Sequence, residues 1–265
     1  MSKNAKTLNK TRETTWKILL RRLGETAAAL FGMATLWLIA YVVVGNELLV
    51  PALSDCLNQL GGLLIDGEFW MGFLHTLGRV FLAFTLSFVS AAFFAVIAYT
   101  VPWFGRILSP MLSALRSLPV LAVLLIILVI SGAGVAPVIV AFLSLFPMLY
   151  AGFLAALCQV DKDLIKMSRV YNVPLKRRIL SLYLPSAAPY AMRESAAALA
   201  FSLKLVVSAE VLASTYKSLG GLMQDARLFL EMPTLFALVS ITFFVGLILE
   251  TAGNILAEFV ERRVK

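Results

Sequence analysis

The stretch FLHTLGRVFLAFTLSFVSAAFFAVIAYTV at residues 73–101 carries a single charged side chain, Arg79, and it decides the fold class. A bilayer core about 30 Å thick accepts a run of roughly 20 apolar residues. Within it every backbone N–H and C=O has to be bonded inside its own segment, which a helix achieves. The run is too long and too continuously apolar for a porin-type strand, which alternates over about 10 residues. The rest of the chain is of the same kind: 60% of its 265 residues are apolar, 14% are charged, and mean hydropathy is +0.90. Soluble domains carry roughly 45–50% apolar and about 25% charged residues, and a sphere of this size could not bury the excess. The sequence therefore specifies an all-α integral membrane protein.

Working outward from that run, the chain divides into about six spans by hydropathy and by the distribution of Lys and Arg. Residues 1–26 form a basic tail, with Lys3, Lys6, Lys10, Arg12, Lys17, Arg21 and Arg22 against Glu13 and Glu25, and this places the N-terminus in the cytoplasm. Residues 27–44 read as a retained signal-anchor helix, since no A-x-A-type cleavage site follows. Residues 46–69 hold Glu47, Asp55, Asp66 and Glu68 without Lys or Arg, as expected outside the cell. In them Leu53, Leu57, Leu60 and Leu64 recur at helical spacing, which predicts an interfacial helix. Further spans are expected at 73–101, 108–130, 135–158, 190–213 and 233–257. The segments 102–106 and 131–134 are expected as turns, and both termini lie inside. The expected organisation is a cytoplasmic tail (1–26), a first span with its outer segment (27–69), a core (70–257) containing a polar loop (159–185), and a second tail (258–265).

The net charge of +8 is concentrated in segments flanking apolar runs, so its partner is the lipid headgroup layer and not nucleic acid. Cys56 and Cys158 fall on opposite sides of the bilayer and cannot pair within the chain.

The polar loop carries the function. Asp161 and Asp163 open a short helix, where negative charge complements the helix dipole. Leu164, Met167 and Tyr171 fall at i, i+3 and i+7 and form one apolar stripe opposite Lys162, Lys166 and Arg169. Asn172 can take the left-handed conformation that ends a helix, Val173 is pushed out of the helical region by the proline after it, and Pro174 suits the first turn of a second helix. A helix–turn–helix elbow at the membrane face results. Such a stripe either lies on lipid or docks into a groove on another protein.

The segment Ile165-Lys166-Met167-Ser168-Arg169-Val170-Tyr171-Asn172-Val173-Pro174, with Arg177-Arg178-Ile179-Leu180 and Leu184-Pro185-Ser186-Ala187-Ala188-Pro189 behind it, resembles the "EAA" loop of binding-protein-dependent ABC transporter permeases. The resemblance covers most of the chain and points to the nitrate/sulfonate/taurine-type branch. Leu49-Val50-Pro51, Phe69-Trp70, His75-Thr76-Leu77-Gly78-Arg79-Val80, Leu115-Arg116-Ser117-Leu118-Pro119, Ala209-Glu210 and Leu219-Gly220-Gly221-Leu222 are similar to family elements in the same order. Lys166 stands in place of the motif's glutamate, Ser168 in place of its second alanine, and Asn172 in place of its glycine.

The resemblance implies a type I importer permease bundle whose coupling helix sits in a cleft of the ATPase subunit. It implies two copies of that ATPase, which bind ATP and Mg, a second permease protomer in a homodimer, and a periplasmic or lipid-anchored substrate-binding protein. The membrane is the bacterial inner membrane. The substrate it implies is a small organic anion, such as a sulfonate or nitrate-like ion, or a vitamin precursor. The loop residues Asp161, Asp163, Leu164, Lys166, Met167, Ser168, Tyr171, Asn172 and Pro174 are the expected ATPase-coupling set.

The chain holds no G-x-x-x-x-G-K-[ST] cradle for nucleotide phosphates, so ATP is expected on another subunit and no cofactor or metal on this one. A secondary transporter driven by an ion gradient is the alternative, and it tends to show paired repeats with broken helices. A membrane-embedded enzyme would need a nucleophile–base set or a metal motif, and the chain has one histidine, His75.

Charges inside spans are costly unless they face water or protein. Lys204 and Glu210 stand six residues apart, about 240° around a helix, so they do not share a face. Lys204, Ser208 and Glu210 are the candidate translocation-path residues, each charge alternatively pairing with another helix or with a second protomer. Arg79 is expected to reach the headgroups. Glu250 is expected either to pair with Arg116 or to reach the inner surface. Gly220 and Gly221 form either an outer gate or a turn.

Overall fold

A computed structural model describes residues 32, 34–46 and 49–264 of the chain. The helices are α1 (Ala34–Val44), α2 (Leu53–Leu63), α3 (Gly67–Thr100), α4 (Pro102–Ser117), α5 (Val120–Ser131), α6 (Ala136–Cys158), α7 (Lys162–Val170), α8 (Leu175–Arg178), α9 (Leu184–Ala213), α10 (Leu219–Leu228) and α11 (Met232–Val264). They divide into two compact units at Gln59 and Leu60. In the first, Trp37 Nε1 of α1 donates to the carbonyl of Pro51 at 3.2 Å. The N-terminal tail, Glu47 and most of the expected cytoplasmic flank of the first span lie outside the described residues.

In the second unit α3 packs on α6, α6 on α9, and α9 on α11, with α10 laid over the ends of α3, α9 and α11. The residues that α3 buries are Phe69, Gly72, Thr76, Val80, Ala83, Ser87, Ala91, Ala95 and Ala98, spaced three or four apart along one stripe and, beyond Phe69, mostly small. Its other faces carry Phe81, Leu82, Leu86, Val89 and Phe93, all exposed. This is the reverse of a soluble helix: lipid solvates large apolar side chains well, so helices meet through small residues that let backbones approach. Gly253 of α11 takes this furthest. A Cβ built there would stand 2.6 Å from Cβ and 2.9 Å from Cα of Ala196 on α9.

Among the described residues four stretches are long and apolar enough to span: Gly67–Thr100, Ala136–Cys158, Lys176–Ala213 and Met232–Arg262. Of the expected first span, α1 (Ala34–Val44) is the continuous described part, and residues 27–31 and 33 lie outside the described residues. Four expectations are corrected. The turn expected at 102–106 is the start of α4, with Pro102 in its first turn and the change of direction made at Val101 (φ −123°, ψ 88°). The span expected over 108–130 is broken into α4 and α5, which meet at 94°. Leu118 (ψ 134°) and Pro119 (ψ 112°) are both extended there, as the steric demand of proline on its predecessor requires.

The fifth span begins before Pro185 and Pro189, not after them. A π-helical turn at Ile179–Tyr183 runs straight into α9, with Leu184 N–H donating to the carbonyl of Ile179. Such a turn supplies slack where a proline removes a ladder donor. Finally, α11 continues through the segment expected as a separate tail at 258–265, and Arg193 Nη2 donates to Glu261 Oε2 at 2.6 Å alongside it.

Gly253→Val should lower the stability of the detergent-solubilised protein by about 1–3 kcal/mol, the usual cost of overpacking. Gly78→Ala, where a Cβ meets nothing within 4 Å, should stay within about 0.5 kcal/mol of the parent. Thermal unfolding of the two variants side by side measures the difference.

Candidate functional site

The loop after α6 folds as the elbow its sequence specifies. Asp161 caps α7, its Oδ1 accepting from Asp163 N–H at 2.8 Å. The helix is held down along one side: Val160 and Ile165 are buried, Ile165 to 8% exposure, and Ser168 Oγ donates to the carbonyl of Ile165 at 2.7 Å. Leu164, Met167 and Tyr171 lie on the free side, Met167 at 55% and Tyr171 at 71% exposure, and Val170 is exposed with them. Lys166 Nζ meets Asp163 Oδ1 at 2.9 Å, both fully in solvent range, a surface pair that contributes less than about 1 kcal/mol. The side chains of Lys162 and Arg169 lie outside the described residues.

The helix stops as a left-handed cap requires. Asn172 has φ 51°, and Val173 N–H donates back to the carbonyl of Ser168 at 3.0 Å, the six-to-one bond of a Schellman ending. Pro174 then starts the next turn, its carbonyl accepting from Arg178 N–H at 3.0 Å, while Arg178 Nη2 donates to Val173 at 3.1 Å. The elbow is therefore a braced unit presenting an apolar stripe that no described residue covers.

The second arrangement is at the far end of the bundle. Glu210 is completely buried (0%). Its Oε1 accepts from Arg79 Nη1 at 2.8 Å, and its Oε2 from Thr76 Oγ1 at 2.8 Å and from Gly220 N–H at 3.3 Å. Thr76 Oγ1 in turn accepts from Leu219 N–H at 2.9 Å. One carboxylate thus holds α3, α9 and the first turn of α10, whose positive dipole end faces it. Glycine at 220 is what lets them meet: a Cβ there would collide with Glu210 Cβ and lie 2.6 Å from Val211 N. Beside it, Thr215 Oγ1 donates to Ala133 O at 2.9 Å, fastening the loop before α10 to the turn between α5 and α6.

Several expectations change here. Arg79 does not reach the headgroups; it pairs with Glu210. Glu210 is sealed and does not line the open cleft of the bundle. Gly220 and Gly221 form the first turn of α10, with Gly221 N–H donating to the cap Ser218 Oγ at 2.8 Å. Arg116 does not pair with Glu250; its Nη2 donates to the carbonyl of Pro147 on α6 at 2.8 Å. His75 Nδ1 donates to Met71 O of its own helix at 2.9 Å.

The third arrangement is a cleft of about 360 Å³ between α9 and α11. Lys204 and Ser208, one turn apart on α9, line it together with Thr242 and Glu250 of α11, and the rest of the wall is apolar. Lys204 and Glu210 therefore lie on different faces of α9, as their spacing requires. The sequence did not single out Thr76, and it left Arg79 and Glu250 without correct partners. The signal available was that Arg79 is the single charge of its span and Glu210 lies well inside another, and buried charges of opposite sign favour pairing.

Removing one partner of the buried pair, by Arg79→Met or Glu210→Leu, should destabilise the protein by about 3–5 kcal/mol. Removing both should cost less than the sum of the two. Unfolding of the single and double variants in detergent checks this.

Residues 87–265 match the family of binding-protein-dependent transport system inner membrane components. A probable ABC transporter permease protein of Brucella abortus (strain 2308) is 26% identical over 82% of this chain and 88% of its own length. The taurine transport system permease protein TauC of Escherichia coli (strain K12) is 24% identical over 81% of this chain and 80% of its own. The fold is that of the inward-facing MetNI methionine ABC transporter, with TM-score 0.64 and 17% identity over 72% of this chain and 96% of that one. An amino acid ABC transporter crystallised with histidines gives TM-score 0.58 at 19% identity, over 74% and 94%. The chain belongs to the family of binding-protein-dependent transport system inner membrane components: it is a multi-pass inner-membrane permease subunit of an ABC importer, the membrane-crossing and non-catalytic part of that machine.

Proposed function

We propose that this permease docks its ATPase through the free face of α7 and carries its solute along the cleft between α9 and α11. The observation that supports the docking reading is the uncovered stripe of Leu164, Met167 and Tyr171 on a helix that is itself braced by Ile165, the Asp161 cap and the Asn172 ending. A rigid apolar knob transmits force into a groove in a way that a loose loop cannot. Asp163, Lys166, Ser168 and Pro174 complete the elbow, and Lys166 replaces a typical carboxylate, so the ATPase surface opposite it differs from the typical one.

In this reading two ATPase subunits bind ATP and Mg, two copies of this chain pair across the path, and a periplasmic or lipid-anchored binding protein delivers the solute. Both termini are cytoplasmic, and the core extends over residues 70–257 with its coupling loop at 159–185. ATP binding and hydrolysis in the partner rock the elbows and, through the π-helical turn that continues into α9, move the wall bearing Lys204 and Ser208. Lys204 offers a positive charge to a small organic anion such as a sulfonate. The same chemistry leaves room for a nitrate-like ion or a vitamin precursor. Relatives named for taurine and for glycine betaine/proline betaine support a small organic solute.

Leu164→Asp combined with Met167→Asp should abolish co-purification with the ATPase subunit and uptake, with the permease still folded, since both side chains are exposed. Retention of both activities would end the docking reading. The topology has its own test in the cysteines. Cys158 is exposed and should react with an impermeant maleimide from the cytoplasmic side only. Cys56 should stay unlabelled from either side: it is buried, and burial together with the neighbouring Asp55 pushes its thiol above the ordinary range, which leaves less of the reactive thiolate at neutral pH.

A further inference from the structure

Lys204 and Glu250, both in the membrane-crossing part of the bundle, share one cleft and have no protein partner among the described residues. Lys204 on α9 and Glu250 on α11 are both exposed, both line the same cleft, and neither takes part in an ion pair or hydrogen bond. Arg79 and Glu210, a few turns away, show what this protein does with charges that serve structure alone: it seals them against each other. Lys204 and Glu250 are left open on the wall of a cavity.

Their separation follows from the register of the two helices. Position 253 lies against Ala196, and position 246 against Leu203. The helices are therefore antiparallel, with Lys204 level with about residue 245. Glu250 lies about five residues farther along α11, roughly 7–8 Å at 1.5 Å per residue. The wall around the two charges is apolar, with Val207, Val211, Val239, Phe243 and Leu247. A cavity of about 360 Å³ is at the small end of ligand sites, which run from about 300 to 1,000 Å³.

A solute with a single negative charge would satisfy Lys204 and leave Glu250 unanswered and repelling it, in surroundings of low dielectric where an uncompensated charge is costly. A solute with a single positive charge has the converse defect. Both wall charges are answered together by a small molecule with an acidic group at one end and an ammonium at the other. We infer that the cleft is a subsite for small zwitterions, the carboxylate or sulfonate set on Lys204 and the ammonium on Glu250, with Ser208 and Thr242 as hydroxyl partners and the carbon chain against Val207 and Phe243. The inference rests on the cleft being part of the path and narrows its occupant from small organic anions in general, nitrate-like ions included, to zwitterions.

The test uses the permease assembled with its ATPase in lipid nanodiscs. Binding of taurine, glycine betaine and methionine is compared with that of isethionate, which keeps the sulfonate of taurine and has a hydroxyl in place of the ammonium. At least one zwitterion should bind, and taurine should bind more tightly than isethionate. Lys204→Met and Glu250→Gln should each weaken zwitterion binding about 10- to 100-fold, the worth of one charge-assisted hydrogen bond. Glu250→Gln should also erase the preference for taurine over isethionate, a readout that a merely structural glutamate would not move.

Absence of binding by all three zwitterions, or a preference that survives Glu250→Gln, would overturn the inference. So would cysteines placed at 204 and 250 forming a disulfide between two copies of the chain, which would make these charges each other's partners across a dimer. Uptake and ATP hydrolysis of the same variants separate the two levels. If Lys204→Met reduces uptake while Glu250→Gln leaves solute preference intact, the path stands and the zwitterion falls; if neither variant changes uptake, the path reading falls as well.

Discussion

A carboxylate with no exposed surface inside a bundle of lipid-facing helices is the feature on which one end of this protein depends. Burying such a group costs several kcal/mol unless it is paired and hydrogen-bonded. Glu210 recovers that cost from three directions at once: the guanidinium of Arg79, the hydroxyl of Thr76 and the N–H of Gly220. Because these donors come from α3 and from the first turn of α10, the pair does more than neutralise itself. It sets where α10 lies across the ends of the spans and, through Thr215 and Ala133, where the α5–α6 turn sits. With one charge of each sign consumed in this way, a different face of α9 is free for Lys204 and Ser208.

The middle of the bundle is held by a different principle. Lipid gives large apolar side chains no reason to turn inward, and the helices accordingly meet through Ala, Ser, Thr and Gly, with Gly253 against Ala196 the tightest approach of α9 and α11. Close small-residue seams slide and rock with little rearrangement of side chains, which suits a wall that has to move. The elbow at α7 is the contrasting part. Its caps, its Schellman ending and the Arg178 contact to Val173 make it stiff, and a π-helical turn at Ile179–Tyr183 joins it to α9 without a loop. On the coupling reading, a push on Met167 and Tyr171 passes through the braced Asn172-Val173-Pro174 turn and then along the continuous α8–α9 segment to Lys204.

Much of this was legible in the chain itself because the rules that apply are local. Hydropathy over twenty residues needs no partner to act, so helices at 73–101 and 135–158 were expected within a few residues of α3 and α6. Capping and proline sterics act over three or four residues, so Asp161, Asn172 and Pro174 could be assigned their places in the elbow in advance. The breaks were harder. Leu118-Pro119 and Pro185 present the same residue to the chain, yet one bends two helices to 94° and the other is absorbed by a π turn. What decides is whether neighbouring helices supply somewhere for the chain to go.

The sequence by itself determined the membrane-spanning helical class, the elbow with its apolar stripe, and that Lys204 and Glu210 do not share a face, since all three follow from local hydropathy and spacing. Only the tertiary structure decided which charges pair. Arg79 and Glu210 are 131 residues apart in the chain, and nothing local distinguishes an arginine that snorkels to headgroups from one that reaches across to a neighbouring helix. Only the packing of α9 on α11 put Glu250 on the same wall as Lys204. Pairing energies depend on distance and burial in three dimensions, and those are properties of the assembled bundle, not of any segment of it.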